Sequence, residues 1–483
     1  MLFNSLSYAV FLPLACLAYY AFPQRARWAV LLVFSCYFYM SWNPELIVLI
    51  FFTTAVSYTA GRLLARTAPP AARRAILVGG VLLCLLPLFF FKYFNFLGGS
   101  VAAFFKVFGL GLTPPVLDLV LPVGISFYTF QTLSYIVDVY RRSLPAEHHF
   151  GIYALYVSFF PQLVAGPIER AGSLLPQFRR RHTFSTGQCS AGLRKIGVGL
   201  FKKIVVADYV APFVNAVYND LTGKTGLTLL FATLLFAVQI YCDFSGYSDI
   251  AVGSARILGF DLMENFKSPY FAASVREFWR RWHISLTSWF TDYVYIPLGG
   301  SRCRMARHLA NLLITFLLSG LWHGASWTFV CWGLYHGLWL CAEQFYAKRL
   351  DALQTRHPPL RLLRTAATFV IVVLGWVFFR ANSLADAGYI FQNILRGLNP
   401  LRLPEYMASA GMGLPQLAVT GVLLLALAVY DGVSYFKGPA LTLLCQKRPV
   451  VRYLFYWALG ASIVLALMLR PFGAAADFIY FQF

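Results

Sequence analysis

The sequence predicts an all-α, multi-pass transmembrane helix bundle of about 11 spans plus interfacial or re-entrant helices, organised as a single membrane-embedded domain over residues 1–483. Three observations carry this reading. Hydrophobic residues make up 59% of the chain and charged residues 12%, whereas soluble domains average about 25% charged. Mean hydropathy is +0.64. The apolar residues form continuous runs, roughly the 17–25 residues a spanning helix needs, and not the alternating segments of roughly ten residues that build a transmembrane barrel.

In chain order the runs fall at 5–22, 28–61 (long enough for two spans), 75–93, 117–138, 150–168, 195–216, 226–245, 325–347, 363–381, 412–432 and 452–470. Residues 98–112 and 278–298 are shorter or more amphipathic and are assigned to the interface. The first run lacks a basic leader and passes straight into further spans, so it reads as a retained helix. The polar stretches 170–195, 260–308 and 382–411 are too short for a second domain, and no internal repeat is visible.

The net charge of +21 fits the excess of Lys and Arg in cytoplasmic loops. Arg62/Arg66/Arg73/Arg74, Arg179/Arg180/Arg181, Lys202/Lys203 and Lys348/Arg349/Arg356 are the loop clusters this predicts. The basic residues form no single stripe, so nucleic acid is not an expected partner. The nine cysteines are scattered with no C-x-x-C pair, which points to neither zinc nor a disulfide framework.

His323 stands out among the eight histidines. It follows an apolar run from Leu309 to Trp322, is flanked by Gly320 and Gly324, and is followed by further apolar chain to Leu340. Fourteen residues span about 21 Å, short of the roughly 30 Å hydrocarbon core. The run therefore predicts His323 at membrane depth, with a bend at the glycines and a polar cavity to accommodate it. An ionisable group there is a functional-site hypothesis by default, and imidazole moves protons near neutral pH. A buried histidine satisfying a carbonyl is the alternative. His336, between aromatic and small residues, reads as packing. His148, His149, His182, His308 and His357 read as solvated loop residues.

The segment 260–308 predicts an interfacial helix. Ser274 is a good N-cap and Glu277 completes a capping box. Val275, Phe278, Trp279, Trp282, Leu286, Trp289 and Phe290 recur at helical spacing, with Arg276, Arg280 and Arg281 interleaved. His283, four residues after Trp279, falls on the apolar side, where a plain membrane anchor has no need of it. In Tyr241-Cys-Asp-Phe-Ser-Gly-Tyr-Ser-Asp249 the Ser and Gly content predicts a bent or interrupted helix. Asp243 and Asp249 either satisfy donors at that break or, with Trp322, line a polar cavity. Glu169, in a Gly-Pro turn, reads as a structural pairing residue. H-E-x-x-H, G-x-S-x-G, Walker and dinucleotide motifs are all missing.

Several segments match a known family in one order. They are Leu121-Pro-Val-Gly-Ile-Ser-Phe-Tyr-Thr-Phe, Ala165-Gly-Pro-Ile-Glu-Arg, Tyr241-Cys-Asp-Phe-Ser-Gly-Tyr-Ser-Asp, Met263-Glu-Asn-Phe-Lys-Ser-Pro-Tyr, Glu277-Phe-Trp-Arg-Arg-Trp-His-Ile-Ser-Leu, Gly320-Leu-Trp-His-Gly-Ala, Gly375-Trp-Val-Phe-Phe-Arg-Ala and Phe478-Ile-Tyr-Phe-Gln-Phe. On these the chain resembles the membrane-bound O-acyltransferase (MBOAT) family, in its bacterial alginate O-acetylation branch. Similar subunits act in peptidoglycan and cellulose acetylation.

The resemblance implies tilted helices around a central cavity, His323 at the family's catalytic histidine and His283 at its second active-site position. It implies an O-acetyltransferase of the bacterial inner membrane that passes an acetyl group from a cytoplasmic thioester donor, acetyl-CoA or another acyl thioester, to a periplasmic acetyltransferase partner and an exported polysaccharide such as alginate. His323 would act as general base, with no metal and no tightly bound cofactor. Lys267, Arg276, Arg280 and Arg281 are candidates, from charge and neighbourhood, for the donor's phosphates. D-alanylation of teichoic acid and a flippase for lipid-linked saccharide are the competing readings.

Overall fold

The computed structural model describes residues 1–163, 166–356, 359–469 and 478–479, with only the backbone described at 348, 355 and 356. Every regular element among the described residues is helical, with no strand. Among the described residues, seven helices are long and apolar enough to cross a membrane: Pro44–Arg66, Pro70–Val107, Gly226–Ile257, Met305–His323, Leu360–Arg380, Leu414–Phe436 and Pro449–Met468.

The difference from the expected 11 has local causes. The run at 117–138 becomes helical only at Ile125–Tyr140. Pro114, Pro115 and Pro122 lack amide donors, and 110–122 carry no regular structure. The run at 150–168 divides into Phe150–Ser158 and Phe160–Leu163, with 164–165 outside the described residues. Of residues 98–112, those up to Val107 continue Pro70–Leu88 through a wider π turn at Phe89–Tyr93 into the helix Phe94–Val107.

The chain forms two compact units, Met1–Leu193 with Ala251–Met263, and Arg194–Ile250 with Glu264–Phe483. In the first, Ile125–Tyr140 is buried on nearly every face. Arg73 was expected in a loop but is buried. Its guanidinium donates to the carbonyls of Leu64 and Tyr140, satisfying a helix end that would otherwise be orphaned. His182 and His149 also differ from the solvated expectation. The His182 ring packs 4.7 Å from Phe260, and His149 Nδ1 accepts the Ile152 N–H at 3.2 Å as a helix cap. Glu169 is 2% exposed and its carboxylate accepts the Met263 N–H at 2.6 Å. An apolar groove of about 670 Å³ between the first two helices is lined by residues such as Val10, Phe11, Val33 and Tyr37. No candidate site residue lines it.

In the second unit, Lys202 and Lys203 lie in a π turn, Phe201–Ala207, and not in the expected loop. They are 6% and 1% exposed. The wider turn lets two consecutive side chains both face inward. Lys202 pairs with Asp249 at 2.8 Å, and Lys203 with Asp243 at 2.6 Å and Asp208 at 3.0 Å. Lys195 joins Asp249 to Glu264, at 3.4 and 2.9 Å. Desolvated lysines are retained here because each is matched by carboxylate. The helix Gly226–Ile257 runs unbroken through 241–249, where an interruption was expected. Its small residues serve close packing: a Cβ on Gly246 would stand 2.7 Å from the Gly199 carbonyl oxygen. His357 and the side chains of Lys348 and Arg356 lie outside the described residues.

The helices Met305–His323 and Trp327–Arg356 cross at backbone contact. A Cβ on Gly320 would stand 2.3 Å from the Phe329 carbonyl oxygen, and one on Gly333 2.3 Å from that of Phe316. Gly320 therefore serves an approach between helices inside an unbroken helix, and the expected break falls at Gly324, directly after His323.

Two predictions follow from this packing. Gly333→Leu should destabilise the second unit by about 3 kcal/mol or more, read as lost monodisperse protein in detergent gel filtration, whereas Gly388→Ala, with open space at its Cβ, should leave yield unchanged. Burial raises the Glu169 carboxyl from 4.5 to about 7. The folded state then holds the proton more tightly than the unfolded one, so this contribution is full below pH 4.5 and is lost as pH rises through 7. Thermal unfolding at pH 5 and pH 8 should show that loss in the wild type and a smaller one in Glu169→Gln.

Candidate functional site

His323 is the last residue of Met305–His323. The helix starts four residues before the apolar run, at Met305, and takes in Arg307 and His308. Nineteen residues span about 28 Å, close to a full hydrocarbon core. The expected short span is thus corrected: His323 sits at the end of a nearly complete span. The chain leaves the helix at Gly324, whose backbone is extended, φ −162 and ψ 151. Glycine is needed there for space, since a Cβ would stand 2.1 Å from the Phe329 ring. His323 is 4% exposed. Its ring lies 4.9 Å from Trp322, 4.9 Å from Trp332 and 5.3 Å from Phe379.

His283 is reached by a different local structure from the one expected. The Ser274 hydroxyl does accept the Glu277 N–H, at 3.0 Å. The helix it starts, Val275–Trp279, stops after five residues, and Ile284–Phe290 begins afresh. Between them His283 takes a left-handed backbone, φ 44 and ψ 55, which costs a non-glycine residue roughly 1–3 kcal/mol. Asn265 holds it. The Asn265 carbonyl accepts the Ile284 N–H at 3.0 Å, and its side-chain oxygen accepts the Ser285 N–H at 3.1 Å. The side chain thereby caps the second helix from a distant loop. Lys267 N–H donates to the Arg281 carbonyl at 3.0 Å, completing the clamp. Glu343 fixes the other end: its carboxylate accepts the amides of Val275 at 2.6 Å and Arg276 at 3.0 Å.

The segment is also more buried than an interfacial helix. Phe278, Trp282, His283 and Leu286 are each at most 2% exposed. The His283 ring meets Phe244 at 4.6 Å and Trp322 at 5.9 Å. Burial takes its imidazole down to about 3, so it is neutral at physiological pH. Trp322 touches both histidines, and the structure brings His283 and His323 to one indole.

His336 joins the same aromatic set, 5.0 Å from Trp279 and 5.1 Å from Trp332. It is fully buried, and Gly375 makes room for it, with a Cβ there 2.7 Å from His336 Nε2. Packing accounts for its position. Trp332, Trp376 and Phe379, which wall the site, and Asn265 and Glu343, which set its backbone, were not singled out from sequence. An Asn in a polar loop carries no local signal of a distant cap.

The four cationic candidates differ in what they are free to do. Arg281 Nε donates to Glu277 at 2.9 Å and Nη1 to the Lys267 carbonyl at 3.1 Å, and its guanidinium lies 4.3 Å over Tyr435. Tyr435 in turn donates to Glu277 at 2.8 Å and accepts from Arg361 at 2.6 Å. Burial pushes the Glu277 carboxyl up, but the Ala273 amide, Tyr435 and Arg281 together hold it below its ordinary value. Arg281 is thus committed to structure. Lys267 and Arg280 are exposed, and Arg276 is half-buried beside the Glu343 carboxylate. Asp243 and Asp249 occupy the lysine pairs described above.

Comparison with known proteins identifies the family. The profile of the membrane-bound O-acyltransferase family matches residues 141–385, which include His283, His323 and the aromatic set. The chain is 41% identical over 391 residues to a probable alginate O-acetylase AlgI of Pseudomonas syringae, covering 79% of this chain and 72% of that protein. It is 42% identical over 377 residues to a probable alginate O-acetylase AlgI of Azotobacter vinelandii, covering 78% and 74%. It is 34% identical over 437 residues to a peptidoglycan O-acetyltransferase of Helicobacter pylori, covering 83% and 81%.

Replacing Asn265 by Ala should remove the cap, cost about 1–2 kcal/mol of stability and lower acetyl transfer by roughly tenfold or more through misplacement of His283. Asn265→Asp, which keeps the acceptor oxygen, should recover most of the rate at equal membrane abundance.

Proposed function

The chain belongs to the membrane-bound O-acyltransferase family and is an acyltransferase, and on that premise we propose that it takes an acetyl group from a cytoplasmic thioester, acetyl-CoA or a related donor, and passes it across the inner membrane for O-acetylation of an exported polysaccharide, with His323 as general base. The observation that carries this reading is the pair of buried histidines against one tryptophan, at the end of a helix of spanning length.

Acyl transfer needs a base for the acceptor hydroxyl and hydrogen-bond support for the carbonyl oxygen. His323 takes the hydroxyl proton as the oxygen attacks the thioester carbonyl. The tetrahedral intermediate collapses with loss of thiolate, and the imidazolium returns the proton to the leaving sulfur. His283, neutral because it is buried, offers a ring N–H to the carbonyl oxygen or the acceptor without placing a second cation beside the imidazolium. The surrounding Trp and Phe rings exclude water, which would otherwise hydrolyse the donor. Lys267, Arg280 and Arg276 hold the donor's phosphates, and Arg281 shapes their loop through Glu277 and Tyr435.

Alginate is the acceptor favoured by the 41–42% identity to alginate O-acetylases, with a periplasmic acetyltransferase completing delivery. Peptidoglycan is a second reading, favoured by the wider coverage, 83% of this chain, in the match to the peptidoglycan enzyme.

His323→Ala, produced at the same membrane abundance as wild type, should lower O-acetyl content of the exported polymer by about 10²–10⁴-fold in rate. Acetylation at the wild-type level would refute the assignment.

A further inference from the structure

We infer that Asp243, Lys203 and Asp208 form a latch that holds the segment Phe478–Ile479 against the wall of the histidine site, and that this latch positions His283 through Phe244. The inference rests on the reading of His283 as an active-site residue.

The carboxylate of Asp243 is divided between two partners. Oδ1 lies 2.6 Å from Lys203 Nζ, and Oδ2 accepts the backbone N–H of Ile479 at 2.7 Å. Lys203 Nζ is shared with Asp208 at 3.0 Å. Two carboxylates face one ammonium, all three groups at most 5% exposed. The two carboxylates share that one ammonium, and the Ile479 amide adds a further donor on Asp243. A charge-assisted bond of this kind is stronger than one between neutral groups, and it recognises main chain rather than a particular side chain. The captured residues are buried accordingly, Phe478 at 0% and Ile479 at 2% exposed.

The same helix turn that presents Asp243 carries the contact onward. The Phe478 ring lies 4.6 Å from Tyr247 and 5.6 Å from Phe244. Phe244, next to Asp243 in sequence, stands edge-on to His283 at 4.6 Å and 86°. His283 holds an unfavourable backbone conformation, so its ring stays in place only while its neighbours confine it. Phe478 backs one of those neighbours. Asp243 is in this account a positioning residue, and its effect on the reaction passes through the segment it holds.

The test uses the full 483-residue chain purified in detergent, with Asp243→Asn and Phe478→Ala beside wild type. Carboxypeptidase digestion followed by mass spectrometry reads whether digestion proceeds through Ile479 and Phe478. Acetyl transfer gives kcat and the donor KM, and thermal unfolding reports the bundle. The expected result is a protected segment in wild type and a released one in both variants, with kcat lower by about tenfold, the donor KM unchanged and the variants still folded at the assay temperature. Phe478→Ala keeps the Lys203–Asp243 pair intact and decides the matter if Asp243→Asn fails to fold. A segment that stays protected in the folded variants overturns the latch. Release with kcat unchanged overturns the positioning role. His283→Ala is the control: wild-type kcat there removes the active-site reading beneath the positioning half, and the digestion alone then decides whether the latch exists.

Discussion

The backbone contact between Met305–His323 and Trp327–Arg356 is the constraint on which the site depends. Two glycines, Gly320 and Gly333, let each helix seat against a carbonyl of the other. That approach sets His323 at one helix end against Trp332 on its neighbour, and brings His336 under Gly375 of a third helix. With any side chain at the crossing the helices would separate, and the aromatic rings that enclose His323 would lose contact with it. Core packing tolerates few such displacements.

Around that crossing, the site is made of rings and held by backbone clamps. Asn265 and Glu343 reach from distant parts of the chain to cap the two short helices beside His283. They stabilise a break that a continuous tryptophan-rich helix would not have. The break swings His283 inward, next to Phe244 and Trp322, where loss of solvation keeps it neutral. A neutral imidazole beside a proton-accepting one divides the labour of acyl transfer without a like-charge conflict. The lysines of the π turn in the same unit are matched to aspartates.

Much of this was legible in the sequence. Composition and run length give the helical membrane class, since a lipid environment leaves few alternatives. The ionisable residue in an apolar run singles out His323, and the capping box and periodicity locate the segment of His283. Other features were not legible, for physical reasons. Local spacing predicted one helix through 275–290, but tertiary capping by Asn265 divides it. Lys202 and Lys203 look like a loop pair because, apart from Asp208, their carboxylate partners Asp243 and Asp249 are 40 or more residues away. Gly320 suggested a bend, and only the position of Phe329 shows that it serves a helix crossing. The length of the His323 span was underestimated because Arg307 and His308, in its first turn, mark that stretch as loop.

The central claim is that His323 and His283 act on one substrate at one indole. A double-mutant cycle tests it most directly: kcat/KM for acetyl transfer in wild type, His323→Gln, His283→Gln and the double variant. The account predicts strong non-additivity, with the double variant scarcely slower than His323→Gln alone, because His283 has little to support once the base is gone. A double variant slowed by the full product of the two single effects would contradict it.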